Sequence, residues 1–421
     1  MIHQIYVKLV LKIIMLGFSM SKNIDLMKNV KTIRDVNIES KRVLIRVDFN
    51  VPMDSNLNIS DDKRIKEAIP TINYCIDNKA RYIILVSHLG RPKEREEKYS
   101  LKNLLQRLER LLDRPVTFVD RIEKMDSILK TIDNQSVILL ENIRYYKEEE
   151  KNGEELSQKL ANLCDIFVND AFGTSHRKHS SIYGIANFVD ERVAGLLLKK
   201  EIDSFARVLA NPTRPLLLIV GGSKISSKLT LLENILCIVD RIIIGGAMSH
   251  TFLKAIGYNM QNSMIEEELV NEAKQILSHA RDKNVKIYLP VDFVSTDNVE
   301  EHSNIKITPA QDIPESYIAV DIGPASIKLF NEVIADSPTI MWNGPLGIYE
   351  IDRFNRGTFS IARSIADSYS FSLIGGGDTA DAATKAGEIE NMSFVSTGGG
   401  ASLELLEGKI LPAFEVLNKK D

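Results

Sequence analysis

The chain predicts an α/β protein made of two doubly wound parallel-sheet domains joined by a helical hinge. Three observations carry this. About eleven short apolar β-like runs alternate with helical patterns, the order that builds parallel sheets covered by helices. The runs fall into two groups by what ends them. In the first half they end in charged or amide groups, and in the second half they end in glycine. Between the groups lies AGLLLKKEIDSFARVLANP, a helical stripe that stops at Asn211-Pro212 and reads as the connector.

In chain order, the first group comprises RVLIRVDFN (Arg42–Asn50), YIILVSHLGR (Tyr82–Arg91), SVILLENIR (Ser136–Arg144) and IFVNDAFGTSHR (Ile166–Arg177). Between them, Leu101, Leu104, Leu105, Leu108, Leu111 and Leu112 form one apolar stripe over Ser100–Asp113, with Ser100 as N-cap. The second group comprises LLLIVGGSK (Leu216–Lys224), RIIIGGA (Arg241–Ala247), TIMWNGPLG (Thr339–Gly347), FSLIGGGDT (Phe371–Thr379) and SFVSTGGGAS (Ser393–Ser402). These divide the chain into residues 30–193, a connector 194–212, residues 213–403 and a tail 404–421. Residues 1–29 are expected to lie outside the fold. Ile5–Phe18 is apolar but short for a membrane span, and Lys8 and Lys12 interrupt it.

Composition narrows the function. Net charge is −4 from 53 basic and 57 acidic residues, which argues against a nucleic-acid binder. A hydrophobic fraction of 44% supplies two cores. Cys75, Cys164 and Cys237 are far apart and lack metal-ligand spacing. They read as three buried free thiols in a cytoplasmic protein.

Parallel sheets bind ligands beyond the carboxyl ends of their strands. A basic rim there suits a small anion, and a glycine rim lets backbone N–H groups approach phosphates. Arg46, Asp48 and Asn50 alternate on one strand face. An Asp or Asn after a strand equally caps a turn, so this segment alone leaves both readings open. Arg64 stands at a helix start, where acidic residues are favoured. His88 and Arg91, Arg144, and His176 with Arg177 recur at successive strand ends, and converging guanidinium groups bind phosphate and carboxylate bidentately. In the second half, Lys224 and Lys228 are four apart, hence on one face if their loop opens a helix. Asp378 is a hard oxygen ligand for Mg2+. Gly398–Gly400 offer consecutive N–H groups, and Glu350 suits ribose hydroxyls. No Walker A motif and no HRD or DFG pair occurs.

RVDFNVP, SHLGRP, LLENIRYY, FVNDAFGTSHR, GGSKISSK, WNGPLGIYE, GGGDT and STGGGASLELLEGKILP, in this order, resemble the signature segments of phosphoglycerate kinase over roughly residues 31–421. The resemblance implies two Rossmann-like domains, hinge closure and a tail returning to the first domain. A cytoplasmic monomer with no nucleic-acid or membrane partner is expected, while the first 20 residues have no family counterpart and leave a start-site extension, export or membrane anchoring as alternatives. The first domain would hold 3-phosphoglycerate or 1,3-bisphosphoglycerate through Asp48, Phe49, Asn50, Arg64, His88, Leu89, Gly90, Arg91, Arg144, His176 and Arg177. The second would hold Mg2+-bound ADP or ATP through Gly222, Lys228, Gly246, Gly323, Asn343, Pro345, Gly347, Ile348, Glu350, Gly376, Gly377, Asp378 and Thr379, with Asp378 on the metal. Arg64, Lys224, Lys228, Gly398 and Gly399 would act on the moving phosphoryl group. Ser223, Ser227, Ala247, Ser249, His250 and Tyr349 depart from the residues usual at their positions. Phenylalanine is expected at 250.

The implied reaction is reversible glycolytic phosphoryl transfer between 1,3-bisphosphoglycerate and ADP. Its acceptor in the reverse direction is an already ionised carboxylate, so no general base is needed. A doubly wound dehydrogenase is the first alternative, weakened by the missing GxGxxG after the first strand. A non-catalytic nucleotide-binding relative is the second.

Overall fold

The computed structural model describes residues 22–300 and 302–418. They form two compact units. One holds the described residues up to Asp203 and those from Ile410 onward, and the other holds Ser204–Lys409.

The first unit is built on six parallel strands: β1 (Arg42–Arg46), β2 (Tyr82–Val86), β3 (Val116–Val119), β4 (Ser136–Leu140), β5 (Ile166–Asn169) and β6 (Glu191–Ala194). Their order is β3-β4-β2-β1-β5-β6. Central strands with both faces covered read as unbroken apolar runs, and β2 is buried at every position. The core joins Val43, Ile45, Ile83, Leu85 and Val168 to Ile65, Ile72, Leu101, Leu104 and Leu108 from the flanking helices. The leucine stripe is a 3-10 turn, Leu101–Leu104, running into an α-helix, Leu105–Leu112. The Ser100 side chain accepts the Lys102 N–H, and Asp113 ends the helix at φ 51.

The second unit contains β7 (Leu216–Val220), β8 (Arg241–Ile244), β9 (Lys286–Tyr288), β10 (Asp292–Thr296), β11 (Ile305–Pro309), β12 (Ile318–Ile322), β13 (Thr339–Asn343), β14 (Phe371–Ile374) and β15 (Phe394–Val395). Six of them form a second all-parallel sheet, β15-β14-β13-β7-β8-β9. Trp342, Ile219, Phe330 and Ile361 are among its fully buried core residues. The expected fold class therefore holds. An antiparallel sheet, β11-β10-β12, was not expected. Its strands carry Asp292, Ser295, Thr296, Thr308 and Asp321, which break the apolar pattern yet are buried on hydrogen bonds.

The order of each sheet fixes where a ligand can bind. The chain leaves β1 for β2 on one side and returns to β5 on the other. It leaves β7 for β8 and returns to β13. Such reversals open a crevice at the carboxyl ends of the two strands. The connector is the helix Leu196–Leu209, and the boundary between the units falls within it.

Two expectations need correction. Cys75 and Cys164 are buried, but Cys237 is exposed. Its neighbours Ile235, Leu236 and Val239 take the buried side of that turn. Residues 22–29, placed outside the fold by their polar composition, form a helix with Asn23 and Met27 buried. Asn418 Nδ2 donates to the Leu26 carbonyl at 2.9 Å, tying this helix to the tail. The apolar stretch Ile5–Phe18 lies outside the described residues. Among those described, no helix is long and apolar enough to cross a membrane.

If residues 22–29 are part of the fold, Met27→Ala should cost about 2–5 kcal/mol, the range for truncating a buried methionine. Urea unfolding reads this. A stability unchanged within a few tenths of a kcal/mol would show that the helix only decorates the surface.

Candidate active site

In the first unit, the loops after β1, β2 and β4 are stitched together by polar bonds. The Phe49 N–H donates to Ser87 Oγ at 2.8 Å, and the Gly90 N–H donates to Asn50 Oδ1 at 2.8 Å. Asn142 Nδ2 donates to the Leu89 carbonyl at 2.8 Å, and Arg144 Nη1 to the Gly90 carbonyl at 2.6 Å. Phe49 and Leu89 are buried anchors for these loops.

Charged side chains gather on this frame. Arg64, on the first turn of the helix Lys63–Asp77, donates from Nη1 to Asp48 Oδ2 at 2.8 Å. Arg46 is buried under the edge. Its Nη2 lies 3.3 Å from His88 Nδ1, and its Nε donates to Ser181 Oγ at 2.8 Å. The Ser181 hydroxyl donates in turn to the fully buried Glu149 at 2.6 Å. Because the guanidinium can only donate, His88 Nδ1 accepts and Nε2 carries the proton. Burial, then Arg46, Arg144, Arg177 and Arg64, hold His88 well below the usual histidine range, so it is neutral. Arg177 Nε donates to His176 Nε2 at 3.2 Å. Burial and Arg177 push His176 down to about 4.

Arg91, Arg144 and Arg177 line one cavity of about 890 Å³ with Lys93, Lys147 and Lys151, against Glu94 and Glu150. The Arg144 side chain is 4% exposed, and its Nε lies 3.2 Å from Glu150 without hydrogen-bond alignment. Burial, then Arg177, push its guanidinium down to about 10. Holding the Arg144 guanidinium out of water costs free energy unless an anion offsets it, whereas Arg91, Lys93, Lys147 and Lys151 are exposed. The cationic lining suits a small anion.

In the second unit the glycine turns after β7 and β13 touch. The Gly221 N–H donates to the Asn343 carbonyl at 3.1 Å. A Cβ on Gly221 would lie 1.9 Å from the Pro345 carbonyl oxygen, so no larger residue fits. Lys228 Nζ closes the crevice, donating to the carbonyls of Gly221 at 2.7 Å and Asn343 at 2.6 Å. Burial pushes this ammonium down to about 8, opposed by Asp378. Asp378 stands in the first turn of the helix Gly377–Lys385, whose N-cap is Gly376.

A cavity of about 640 Å³ runs from Asp378 past Gly222, Gly246, Pro345, Gly347, Ile348 and Glu350 to Phe293 and Val320. Gly323, Asn343, Gly376, Gly377, Lys228 and Thr379 are outside its lining. Gly323 caps the helix Pro324–Ala335, its N–H donating to the Asp292 carbonyl at 2.9 Å. Thr379 Oγ1 accepts the Gly344 N–H at 2.7 Å and donates to the Gly375 carbonyl at 2.9 Å, so it braces two turns. Gly398–Gly400 do not all present free donors, because the Gly398 N–H donates to Ser396 Oγ at 3.0 Å. Nor do Lys224 and Lys228 share a helix face. The helix begins only at Leu229, leaving Lys224 exposed in the loop while Lys228 turns inward.

Comparison with known proteins settles the family. A family model described as phosphoglycerate kinase matches residues 33–409. The chain is 67% identical over 397 residues to the phosphoglycerate kinase of Helicobacter hepaticus, covering 94% of this chain and 99% of that one. It is 66% identical to that of Wolinella succinogenes, covering 95% and 100%. The structure of phosphoglycerate kinase from Coxiella burnetii superposes with a TM-score of 0.86 at 41% identity, covering 92% and 98%. The chain belongs to the phosphoglycerate kinase family.

Within the phosphoglycerate kinase fold, Arg46, Asn142, Glu149 and Ser181 hold the basic edge together and were not singled out as site residues. Arg46 carried a signal, since it alternates with Asp48 and Asn50. Glu149 and Ser181 carried none, being distant in sequence from the groups they support. Of the departures, Ser227 Oγ donates to the Lys224 carbonyl at 2.8 Å and Ser249 Oγ to the Gly246 carbonyl at 2.7 Å. Both bonds are local and leave the site's charges untouched.

Proposed function

We infer that this protein transfers a phosphoryl group between 1,3-bisphosphoglycerate and ADP, giving 3-phosphoglycerate and ATP. Family membership supports the reaction. The observation that supports the division of labour is the chemical contrast between the two edges, guanidinium groups on one and glycine turns with a lysine and a carboxylate on the other.

In this reading the phosphate of the triose sits among Arg91, Arg144 and Arg177. Arg64, Asp48 and Asn50 serve its carboxyl end, and His88 offers a neutral Nε2–H donor. In ATP formation a β-phosphate oxygen of ADP attacks the acyl phosphate, and the phosphorus–oxygen bond to the carboxylate breaks. No proton has to move. Catalysis therefore rests on position and on neutralising the charge of the transferring group. Arg64 and Lys228 supply that charge from the two domains, with Lys224 free in its loop to reach the phosphates. The apolar end of the nucleotide cavity accommodates the base, and Glu350 faces the ribose.

Magnesium is held through one or two carboxylates plus substrate phosphates. Asp378, at the glycine-turn end of the cavity wall, fits an ion that arrives on the nucleotide. Among the described residues, no cluster of three or more His, Cys, Asp or Glu side chains could hold an ion unaided. The monomeric state and cytoplasmic location expected of the sequence are part of the same proposal. A coupled assay of ATP formation from 1,3-bisphosphoglycerate tests the reaction, and no turnover from well-folded protein would contradict it.

Arg64→Ala should lower turnover about 10²–10³-fold with little change in ground-state binding, the usual cost of one preorganised donor. Arg144→Ala should mainly raise KM for 3-phosphoglycerate. Steady-state kinetics past saturation separates the two, and near-normal turnover in Arg64→Ala would remove Arg64 from the transfer step.

Lys228 gives a pH dependence. Its folded pKa is depressed to about 8, so the ammonium is present below that pH and lost above it. Because kcat/KM reports the free enzyme's protonation states, kcat/KM for MgADP should fall as pH rises through about 8. A flat profile to pH 9.5 would show that Lys228 stays charged or is not needed.

A further inference from the structure

His250 stands in the nucleotide cavity where phenylalanine was expected. It lies on the helix Met248–Ala255, directly after the glycine turn that follows β8, and is 3% exposed. That remaining surface opens on the cavity it lines. Its Nδ1 is 3.1 Å from the Met264 carbonyl oxygen. A carbonyl only accepts, so Nδ1 carries the proton and Nε2 carries a lone pair. Phe293 packs edge-on, with centroids 5.4 Å apart and planes at 76°, which fixes the plane of the imidazole. Nε2 forms no hydrogen bond with any described residue. Burial pushes His250 down to about 4, so the lone pair persists at neutral pH. The neighbouring walls, Met264, Phe293, Val320 and Ile348, are apolar and suit a flat ring.

We propose that Nε2 of His250 reads the nucleobase, accepting a hydrogen bond from an exocyclic amino group and thereby selecting 6-aminopurine over 6-oxopurine nucleotides. The proposal rests on the reading that this cavity holds the nucleotide. A phenylalanine would contribute contact area without polarity and would not discriminate between the two. A 6-oxo group would set a lone pair against a lone pair. A 6-unsubstituted purine would leave the buried acceptor unpaired, and sites built around such a bond reject analogues that lack it.

The test is calorimetry on the full-length protein with the magnesium complexes of three nucleotides: ADP, IDP and purine riboside 5′-diphosphate. The wild type should bind ADP about tenfold more tightly than either analogue, the effect of one lost hydrogen bond to a buried acceptor. His250→Phe should weaken ADP and tighten both analogues, because the unpaired or opposed acceptor is gone, bringing the ratio near one. His250→Gln, whose amide oxygen can accept, should keep part of the preference. Equal binding of all three nucleotides by the wild type would overturn the proposal without needing any variant. So would an unchanged ratio in folded His250→Phe. Failure to bind any of the three would instead sink the nucleotide reading of the cavity.

Discussion

A parallel sheet buried on both faces leaves its polar groups one place to gather, the carboxyl edge where the strand order reverses. This protein meets that constraint twice. At β1 and β5 the edge is held by a buried guanidinium, Arg46, bonded toward His88 on one side and Ser181 on the other. At β7 and β13 it is held by an ammonium, Lys228, bonded to the Gly221 carbonyl just past β7 and the Asn343 carbonyl that ends β13. In each case a cation closes the crevice from beneath, and the groups that would meet a ligand are arranged around it.

The two edges differ in how they carry charge. The first crowds arginines until burial and mutual repulsion lower Arg144 to about 10 and keep His88 and His176 neutral. That arrangement is expensive in the empty protein and is relieved by a small anion. The second keeps few charges and relies on glycine backbone, which suits phosphates, since these need N–H groups at close range. The Gly221–Pro345 approach at a projected 1.9 Å shows how little room a side chain would have.

Much of this was legible beforehand for physical reasons. Central parallel strands are continuous apolar runs, so β1, β2, β5, β7 and β13 declared themselves, and the residues just past their ends marked the candidate site. What stayed hidden depended on contacts far apart in sequence. Residues 22–29 bury Met27 and Asn23, too few inward residues to make a periodic signal. Glu149 and Ser181 support Arg46 from more than a hundred residues away. The roles of Thr379 and Gly398 hinge on which hydrogen bonds the fold has already used, and residue type alone does not disclose that. Cys237 and Lys224 show the same limit for burial, since a single turn decides which side of the chain faces out.

The most direct test of the two-edge account is amide hydrogen exchange with each ligand added alone. The account predicts that 3-phosphoglycerate slows exchange at the loops after β1, β2, β4 and β5, around Asn50, Gly90, Arg144 and Arg177. MgADP should slow it at the turns around Gly222, Gly246, Gly347 and Asp378. Protection of the glycine turns by 3-phosphoglycerate alone, with the basic loops unaffected, would contradict it.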